Sequence, residues 1–189
     1  MSVRLFVALD LRGEIRESIR DVIARLKPLS KSARWVRPEG MHVTLKFIGH
    51  VAEDRLDPIR SALAPVRSPR PVDLRFRGVG FFPNDERPRV IWCGVESSTN
   101  LPPLARAVER ALEPLGIALE TRDFVPHLTL ARFSKPGQAP ELAQAAAESH
   151  DREFGLASET EFHLFESILR PSGAEYRKLG TFPFVQGAE

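Results

Sequence analysis

The stretches HVTL at residues 42–45 and HLTL at residues 127–130 decide the fold, because they lie 85 residues apart in a chain that repeats at that spacing. Sliding the sequence along itself by 85 residues also places the apolar residues 5–7 on 90–92 without a gap. An offset this consistent indicates two copies of one structural unit, approximately residues 3–82 and 88–167.

Each unit is predicted to run strand, helix, histidine strand, helix and closing strand. The first helix of each unit shows apolar residues at helical spacing. The closing strands are predicted near residues 72–81 and 161–169, and a C-terminal strand near 176–184. The apolar positions of the two first helices are Ile15, Ile19, Val22, Ile23 and Leu26 in one unit and Leu101, Leu104, Val108, Ala111, Leu112 and Leu115 in the other.

This order of elements favours an α+β fold over a doubly wound parallel sheet, because hairpin-like strand pairs close the units. We expect two similar lobes related by the internal repeat. Each lobe is an antiparallel or mixed sheet with its helices on the outside, and an active-site cleft lies between them. Residues 1–189 together are expected to form one two-lobed domain, a length that such a domain accommodates.

The alternation of a β-strand assigns the side chains of the two motifs to opposite faces. Residues i and i+2 share a face, so His42 and Thr44 point one way, as do His127 and Thr129, while the apolar partners face the core. If the two strands lie side by side, both histidines and both threonines enter one cleft.

That set of groups suits hydrolysis of a cyclic phosphodiester. One imidazole takes a proton from water and the other gives a proton to the departing ribose oxygen, which histidine can do near neutral pH. Two threonine hydroxyls can donate to the nonbridging phosphate oxygens. The competing interpretation is a pair of buried, hydrogen-bonded histidines in strands, with threonine present as a good strand former.

Chance alone predicts about 0.16 H-x-T matches for five histidines and six threonines in 189 residues, so two matches at equivalent repeat positions favour the catalytic interpretation. Zinc-protease, Walker A and serine-hydrolase motifs are missing from the sequence. We therefore expect no metal and no cofactor.

The composition of the chain limits which partners and which cellular compartment are expected. The net charge of +2 permits a polyanionic partner without requiring one, and the arginine-rich usage suits phosphate recognition as well as it reflects genome composition. A single cysteine, Cys93, rules out a disulfide within the chain and indicates a reducing compartment. With no signal peptide or membrane-length apolar run in the sequence, we expect a cytoplasmic protein, as a monomer.

Five segments resemble the two-histidine (2H) phosphoesterase superfamily. They read RLFVALDL from residue 4, RWVRPEGMHVTLKFIG from 34, PRVIWCGV from 88, PHLTLARF from 126 and ESILRPSGAEYRKLGTFPF from 166. Within that superfamily the chain is similar to the RNA 2′,3′-cyclic phosphodiesterases, also called 2′-5′ RNA ligase-like proteins. The resemblance implies metal-independent opening of a terminal 2′,3′-cyclic phosphate to a 2′-phosphate, and some members of the family also join or split 2′-5′ linkages. The expected partners are RNA with 2′,3′-cyclic phosphate ends or small cyclic phosphodiesters.

The resemblance also assigns residues. His42 and His127 match the catalytic histidines, and Thr44 and Thr129 match the phosphate-binding threonines. Further candidates for substrate binding are Phe47, Arg132, Tyr176 and Lys46.

Phe47 and Arg132 each lie five residues after a histidine, where the family has groups that flank the nucleobase, and Tyr176 matches a tyrosine of the family's tail. Strict alternation puts an i+5 residue on the far face, so a bulge is required for the first two. Lys46, by alternation, shares the face of His42. Arg37 and Arg122 are equivalent in the repeat and either line the cleft or lie on the surface.

The sequence thus predicts hydrolysis of RNA 2′,3′-cyclic phosphate ends, with His127 as base on water and His42 as acid at the 3′ oxygen. Two alternatives stay within enzymes: a phosphodiesterase for small cyclic nucleotides and a 2′-5′ RNA ligase. A third is a module that binds such RNA ends without turnover.

Overall fold

One antiparallel sheet of nine strands, with four α-helices against one face, makes up the described part of the computed structural model, which covers residues 2–11, 13–134, 139–170 and 173–184. The α+β class predicted from the sequence is confirmed. The helices are α1 (Glu14–Leu26), α2 (Leu56–Leu63), α3 (Leu101–Leu112) and α4 (Pro140–Ala147). The strands are β1 (Ser2–Asp10), β2 (Ala33–Trp35), β3 (His42–Ala52), β4 (Val72–Phe82), β5 (Val90–Ser97), β6 (His127–Phe133), β7 (Glu153–Glu159), β8 (Glu161–Arg170) and β9 (Gly173–Pro183).

The closing strand of each repeat unit crosses into the other half of the sheet. The strand order is β7-β4-β5-β6-β3-β1-β8-β9, with β2 attached to β6. Strand β4 therefore pairs with β5, the first strand of the second unit, and β8 pairs with β1, the first strand of the first unit. The sequence did not predict this exchange, because hydrophobic periodicity identifies a strand and carries no information about its pairing partner.

The repeat is also not gapless. His42 pairs with Asp10 and His127 with Gly94, so the first strands of the two units match at an offset of 84, one less than the histidine strands. A slip of one residue turns every side chain to the opposite face. Phe6 accordingly faces away from the helices, whereas Ile91, its partner at an offset of 85, lies in the core between sheet and helices.

The two faces of the sheet differ in character. The main core lies between the sheet and the helices, where α1 and α4 pack behind β4 and β7 while α3 packs behind β3. The opposite face of the β1–β8 region carries a small separate apolar cluster of Phe6, Ala8 and Phe165. Among the described residues, no helix has the length and apolar character needed to cross a bilayer.

Candidate active site

The two histidine strands lie side by side at the centre of the sheet. Strands β3 and β6 run antiparallel and pair through Val43 and Leu128, the apolar residues that follow the two histidines. Both of these residues are fully buried on the helix side. His42 and Thr44 therefore project from the opposite face, next to His127 and Thr129.

A bulge in each histidine strand reverses the alternation just after the threonine. Ala8 pairs with Thr44 and Val7 with Lys46, so Leu45 is the extra residue in β3. In β6 the extra residue is Leu130, because Trp92 pairs with Thr129 and Ile91 with Ala131. Both bulges lie at the same place in the repeat, which makes them a property of the unit.

As a result, the i+5 residues lie on the histidine face. Phe47 is 53% exposed, and its ring lies 6.1 Å from that of Phe6. Arg132 places Nη2 3.5 Å from the Thr129 hydroxyl. Both side chains occupy the face that their predicted role requires, and the role itself stays a prediction.

Lys46 does not lie on that face, and the prediction that it shares the face of His42 is wrong. The bulge turns its side chain toward the helices, where only 7% of it is exposed. There Nζ forms a 2.7 Å ion pair with Glu109 of α3 and donates to the carbonyl of Ala118 at 2.7 Å. Its repeat equivalent, Ala131, is also buried.

The two imidazoles are held in the same way. Nδ1 of His42 lies 2.7 Å from the carbonyl of Gly40, and Nδ1 of His127 lies 2.8 Å from the carbonyl of Val125. Because a carbonyl only accepts hydrogen bonds, Nδ1 carries the hydrogen in both rings. Nε2 is then the nitrogen of each neutral ring that can accept a proton.

The histidines differ in burial and therefore in acidity. Burial lowers the pKa of His42 to about 4, with Arg132 and His127 also lowering it against the opposing effects of the Gly40 carbonyl and Asp10. Burial also lowers the pKa of His127, helped by Arg132, but to a lesser extent. Both rings are thus neutral at pH 7 in the unliganded protein.

Aromatic rings surround His42. The Phe6 ring centroid lies 4.6 Å from the imidazole, and the Tyr176 ring lies edge-on at 5.0 Å. Phe6 in turn stacks on Phe165 at 5.2 Å. Tyr176 packs so closely on Gly40 that a Cβ there would lie 2.8 Å from the ring, so only glycine fits beneath it. This packing excludes water from one side of His42 and accounts for its lowered pKa.

His127 has a smaller aromatic support. Phe82 lies edge-on to its ring at 5.0 Å and contacts Trp92 at 5.2 Å. Trp92 rests on Gly80, where a Cβ would clash with the indole. Trp92, which pairs with Thr129, keeps a buried Nε1 that has no hydrogen-bond partner in the part of the chain that the structure describes.

The family of this chain is identified by the match of its sequence to a family model. The model described as LigT-like phosphoesterase matches residues 9–92 and again 95–176. The chain belongs to the LigT-like phosphoesterase family. The two matched segments agree with the internal repeat and with the resemblance of the sequence to the 2H phosphoesterases.

Two relatives of the chain carry the same name. An RNA 2′,3′-cyclic phosphodiesterase of Archaeoglobus fulgidus is 37% identical over 95% of this chain and 99% of its own. One of Methanothermobacter thermautotrophicus is 34% identical over 96% of this chain and 99% of its own.

Solved structures of the family share the fold. A protein of Thermus thermophilus superposes with a TM-score of 0.79 at 30% identity, covering 96% of this chain and 97% of its own. E. coli LigT in complex with 3′-AMP superposes with a TM-score of 0.78 at 26% identity, covering 98% and 100%.

One charged group near His42 was not anticipated from the sequence of this LigT-like protein. Asp10 pairs with His42 across β1 and β3, and it binds Arg16 at 3.0 Å and Lys178 at 3.1 Å. Lys178 also lies 3.3 Å from Nε2 of the buried His163. The pairing of β8 with β1 and of β9 with β8, which the sequence did not predict, brings Lys178 and His163 to this carboxylate.

The remaining candidates lie elsewhere. Arg122 is exposed and forms an ion pair with Glu120, and His50 and His150 are exposed. Cys93 is buried in the core, as expected for a residue in an apolar strand. Within the described ranges, no group of three or more His, Cys, Asp or Glu side chains is placed to hold a metal ion.

Proposed function

We propose that this LigT-like protein hydrolyses RNA 2′,3′-cyclic phosphate ends to 2′-phosphates. One observation carries the proposal: two histidines on adjacent strands, each with Nδ1 bound to the carbonyl two residues earlier, so that Nε2 is free to transfer protons. The name shared by the Archaeoglobus and Methanothermobacter relatives supports the choice of substrate.

The reaction needs one neutral and one protonated imidazole. Nε2 of the neutral ring takes a proton from water as its oxygen attacks phosphorus, and Nε2 of the other ring gives its proton to the 3′ oxygen as the P–O3′ bond breaks. Thr44 and Thr129 donate to the nonbridging oxygens as charge accumulates on them. No metal is required for any of these proton transfers.

The difference in burial between the His42 and His127 rings indicates which is the base and which is the acid. When the pair holds one proton, the proton resides mainly on the ring with the higher pKa, which is His127. We therefore assign His42 as the base and His127 as the acid, the reverse of the assignment made from sequence. A bound phosphate anion raises both pKa values and brings the singly protonated pair into the neutral range.

The test is turnover of a short RNA with a 2′,3′-cyclic phosphate end, in EDTA, by the wild-type protein and the His42→Gln and His127→Gln variants. Wild type should open the ring, and each variant should lose about 10²–10⁴-fold in kcat. The matched control is His150→Gln, which makes the same change at an exposed histidine.

Three outcomes would contradict the proposal. Binding of the RNA end with no turnover by the wild type would mean a binding module. Activity abolished by EDTA and restored by one metal would contradict the metal-free mechanism. Joining of the cyclic end to a second RNA in preference to hydrolysis would favour a 2′-5′ ligase.

A further inference from the structure

The residue directly opposite each of the two histidines differs between the repeat units. Asp10 of β1 pairs with His42, whereas Gly94 of β5 occupies the same place opposite His127. Directly opposed residues of an antiparallel pair share one face of the sheet, with Cβ atoms about 4.5–5.5 Å apart, so the Asp10 side chain lies beside His42. A Cβ at Gly94 would lie 2.5 Å from the carbonyl oxygen of Arg77, so no side chain fits opposite His127.

The Asp10 carboxylate is held in place by a cation on each of its oxygens. Arg16 of α1 binds Oδ1 and Lys178 of β9 binds Oδ2, and only 17% of the Asp10 side chain is exposed. Lys178 is itself fixed, since its Nζ lies 5.8 Å from the centroid of the Phe165 ring and 3.3 Å from Nε2 of His163. The two cations therefore fix the carboxylate beside His42 and offset part of its charge.

Asp10 acts on His42 through space, because Nδ1 of His42 already binds a backbone carbonyl. Burial is the main cause of the lowered pKa of His42, and Arg132 and His127 of β6 lower that pKa further, whereas Asp10 raises it. The fourth titratable group against the ring is Tyr176 of β9, which packs edge-on and is neutral. Of the charged groups that act on His42 in the described part of the chain, Asp10 alone favours the imidazolium.

The proposed reaction asks for such a group at one histidine only. As the base, His42 gains a positive charge while water attacks phosphorus, and its burial disfavours that charge. A fixed carboxylate beside the ring stabilises the charge as it develops. His127, as the acid, begins protonated and loses its charge in the same step, so a carboxylate opposite it would oppose the reaction. Glycine at position 94 agrees with this difference.

We propose that Asp10 is a positioning residue that stabilises the charge His42 acquires on taking a proton from water, and that Lys178 and Arg16 set how strongly it does so. Asp10 acts through His42 and need not touch the substrate. The effect on turnover rests on the proposed function, whereas the effect of Asp10 on the ring can be measured without substrate.

The test is an NMR titration of the His42 ring in the substrate-free protein and in three variants. Asp10→Asn should move the midpoint down by about one pH unit, because the two cations then remain near the ring without the carboxylate. Lys178→Gln and Arg16→Gln should each move the midpoint up by about half to one pH unit, because each leaves more of the Asp10 charge uncompensated. A residue that merely supports the fold would not produce shifts of opposite sign.

Turnover should follow the titration. With an RNA that carries a 2′,3′-cyclic phosphate end, Asp10→Asn should lower kcat by about three- to tenfold, since one pH unit in the midpoint corresponds to a factor of ten. The acid limb of the kcat/KM profile should move with the NMR midpoint in each variant. The matched controls are Asp21→Asn and Lys31→Gln, which make the same charge changes at exposed positions and should alter neither quantity.

A midpoint that stays in place or falls in Lys178→Gln and Arg16→Gln would overturn this inference, and these two variants decide the matter even if Asp10→Asn does not fold. Shifted midpoints with an unchanged kcat in Asp10→Asn would overturn the role of Asp10 in turnover. Shifted midpoints in a protein that opens no cyclic phosphate would overturn the proposed function and leave the effect of Asp10 on the His42 ring established.

Discussion

Replacing His42 by glutamine should make the protein more resistant to acid. The pKa of His42 is about 4 in the folded protein, against an ordinary value of 6.5 that applies when the chain is unfolded. Between these two pH values the unfolded chain binds a proton at His42 that the folded protein does not. Stability is therefore fully retained above pH 6.5 and is lost as the pH falls toward 4.

The size of the effect follows from the separation of the two pKa values. Each unit of difference corresponds to about 1.4 kcal/mol, so wild type should lose on the order of 3 kcal/mol through His42 between pH 7 and pH 4. At pH 4.5, where the folded ring is still mostly neutral, most of this stability should already be lost. Glutamine does not titrate, so the variant should lack this component.

The measurement is urea unfolding of wild type and His42→Gln at pH 7 and at pH 4.5, compared as the change in free energy of unfolding between the two pH values. Other titrating groups contribute to both proteins and cancel in the comparison. His150→Gln, at an exposed position, should lose as much stability as wild type. If His42→Gln loses as much stability on acidification as wild type does, the ring is not desolvated as described, and the argument that His42 is the base fails with it.

Three further predictions concern the site and its support. Thr44→Ala and Thr129→Ala should each cost about 1.5–3 kcal/mol of transition-state stabilisation, less than loss of a histidine, and a threonine variant as inactive as the histidine variants in kcat would contradict the assigned roles. The pH profile of kcat should be bell-shaped and peak at a higher pH than that of kcat/KM, because bound phosphate raises both histidine pKa values; a flat profile with chemistry rate-limiting would refute the acid/base pair. Lys46→Met should lower the free energy of unfolding by about 3 kcal/mol, because it leaves the carboxylate of Glu109 without its partner. The same change should barely alter kcat in saturating substrate. A stable but inactive variant would show that Lys46 belongs to the active site after all.

Much of the site could be predicted because its chemistry is local in sequence. A four-residue motif sets both the strand alternation and the groups it presents, so the side-by-side arrangement of His42 and His127 followed from the repeat. The bulges could not be predicted from alternation alone, and they explain why Lys46 lies in the core while Phe47, one residue later, faces the site.

Contacts between segments that lie far apart in the sequence could not be predicted from it. Strands β4 and β8 each pair with the first strand of the other repeat unit. Hydrophobic periodicity does not specify which strands pair, so this arrangement could not be predicted. Asp10 reaches the site through another contact between distant segments, its pairing with His42 across β1 and β3. Asp10 lies in one of the segments that resemble the family, but the resemblance assigned it no role, so the sequence did not distinguish it from an ordinary charged residue at a strand end.

The position and origin of the oxygen atom added to phosphorus test the proposed hydrolysis to a 2′-phosphate most directly. A short RNA ending in a 2′,3′-cyclic phosphate should be incubated with the wild-type protein in ¹⁸O-labelled water containing EDTA, and the product analysed by mass spectrometry and by its resistance to a 3′-specific phosphatase. Water activated by one histidine, with the 3′ oxygen protonated by the other, should give a 2′-phosphate carrying a single ¹⁸O on phosphorus. A 3′-phosphate product, or a product without label, would contradict the account.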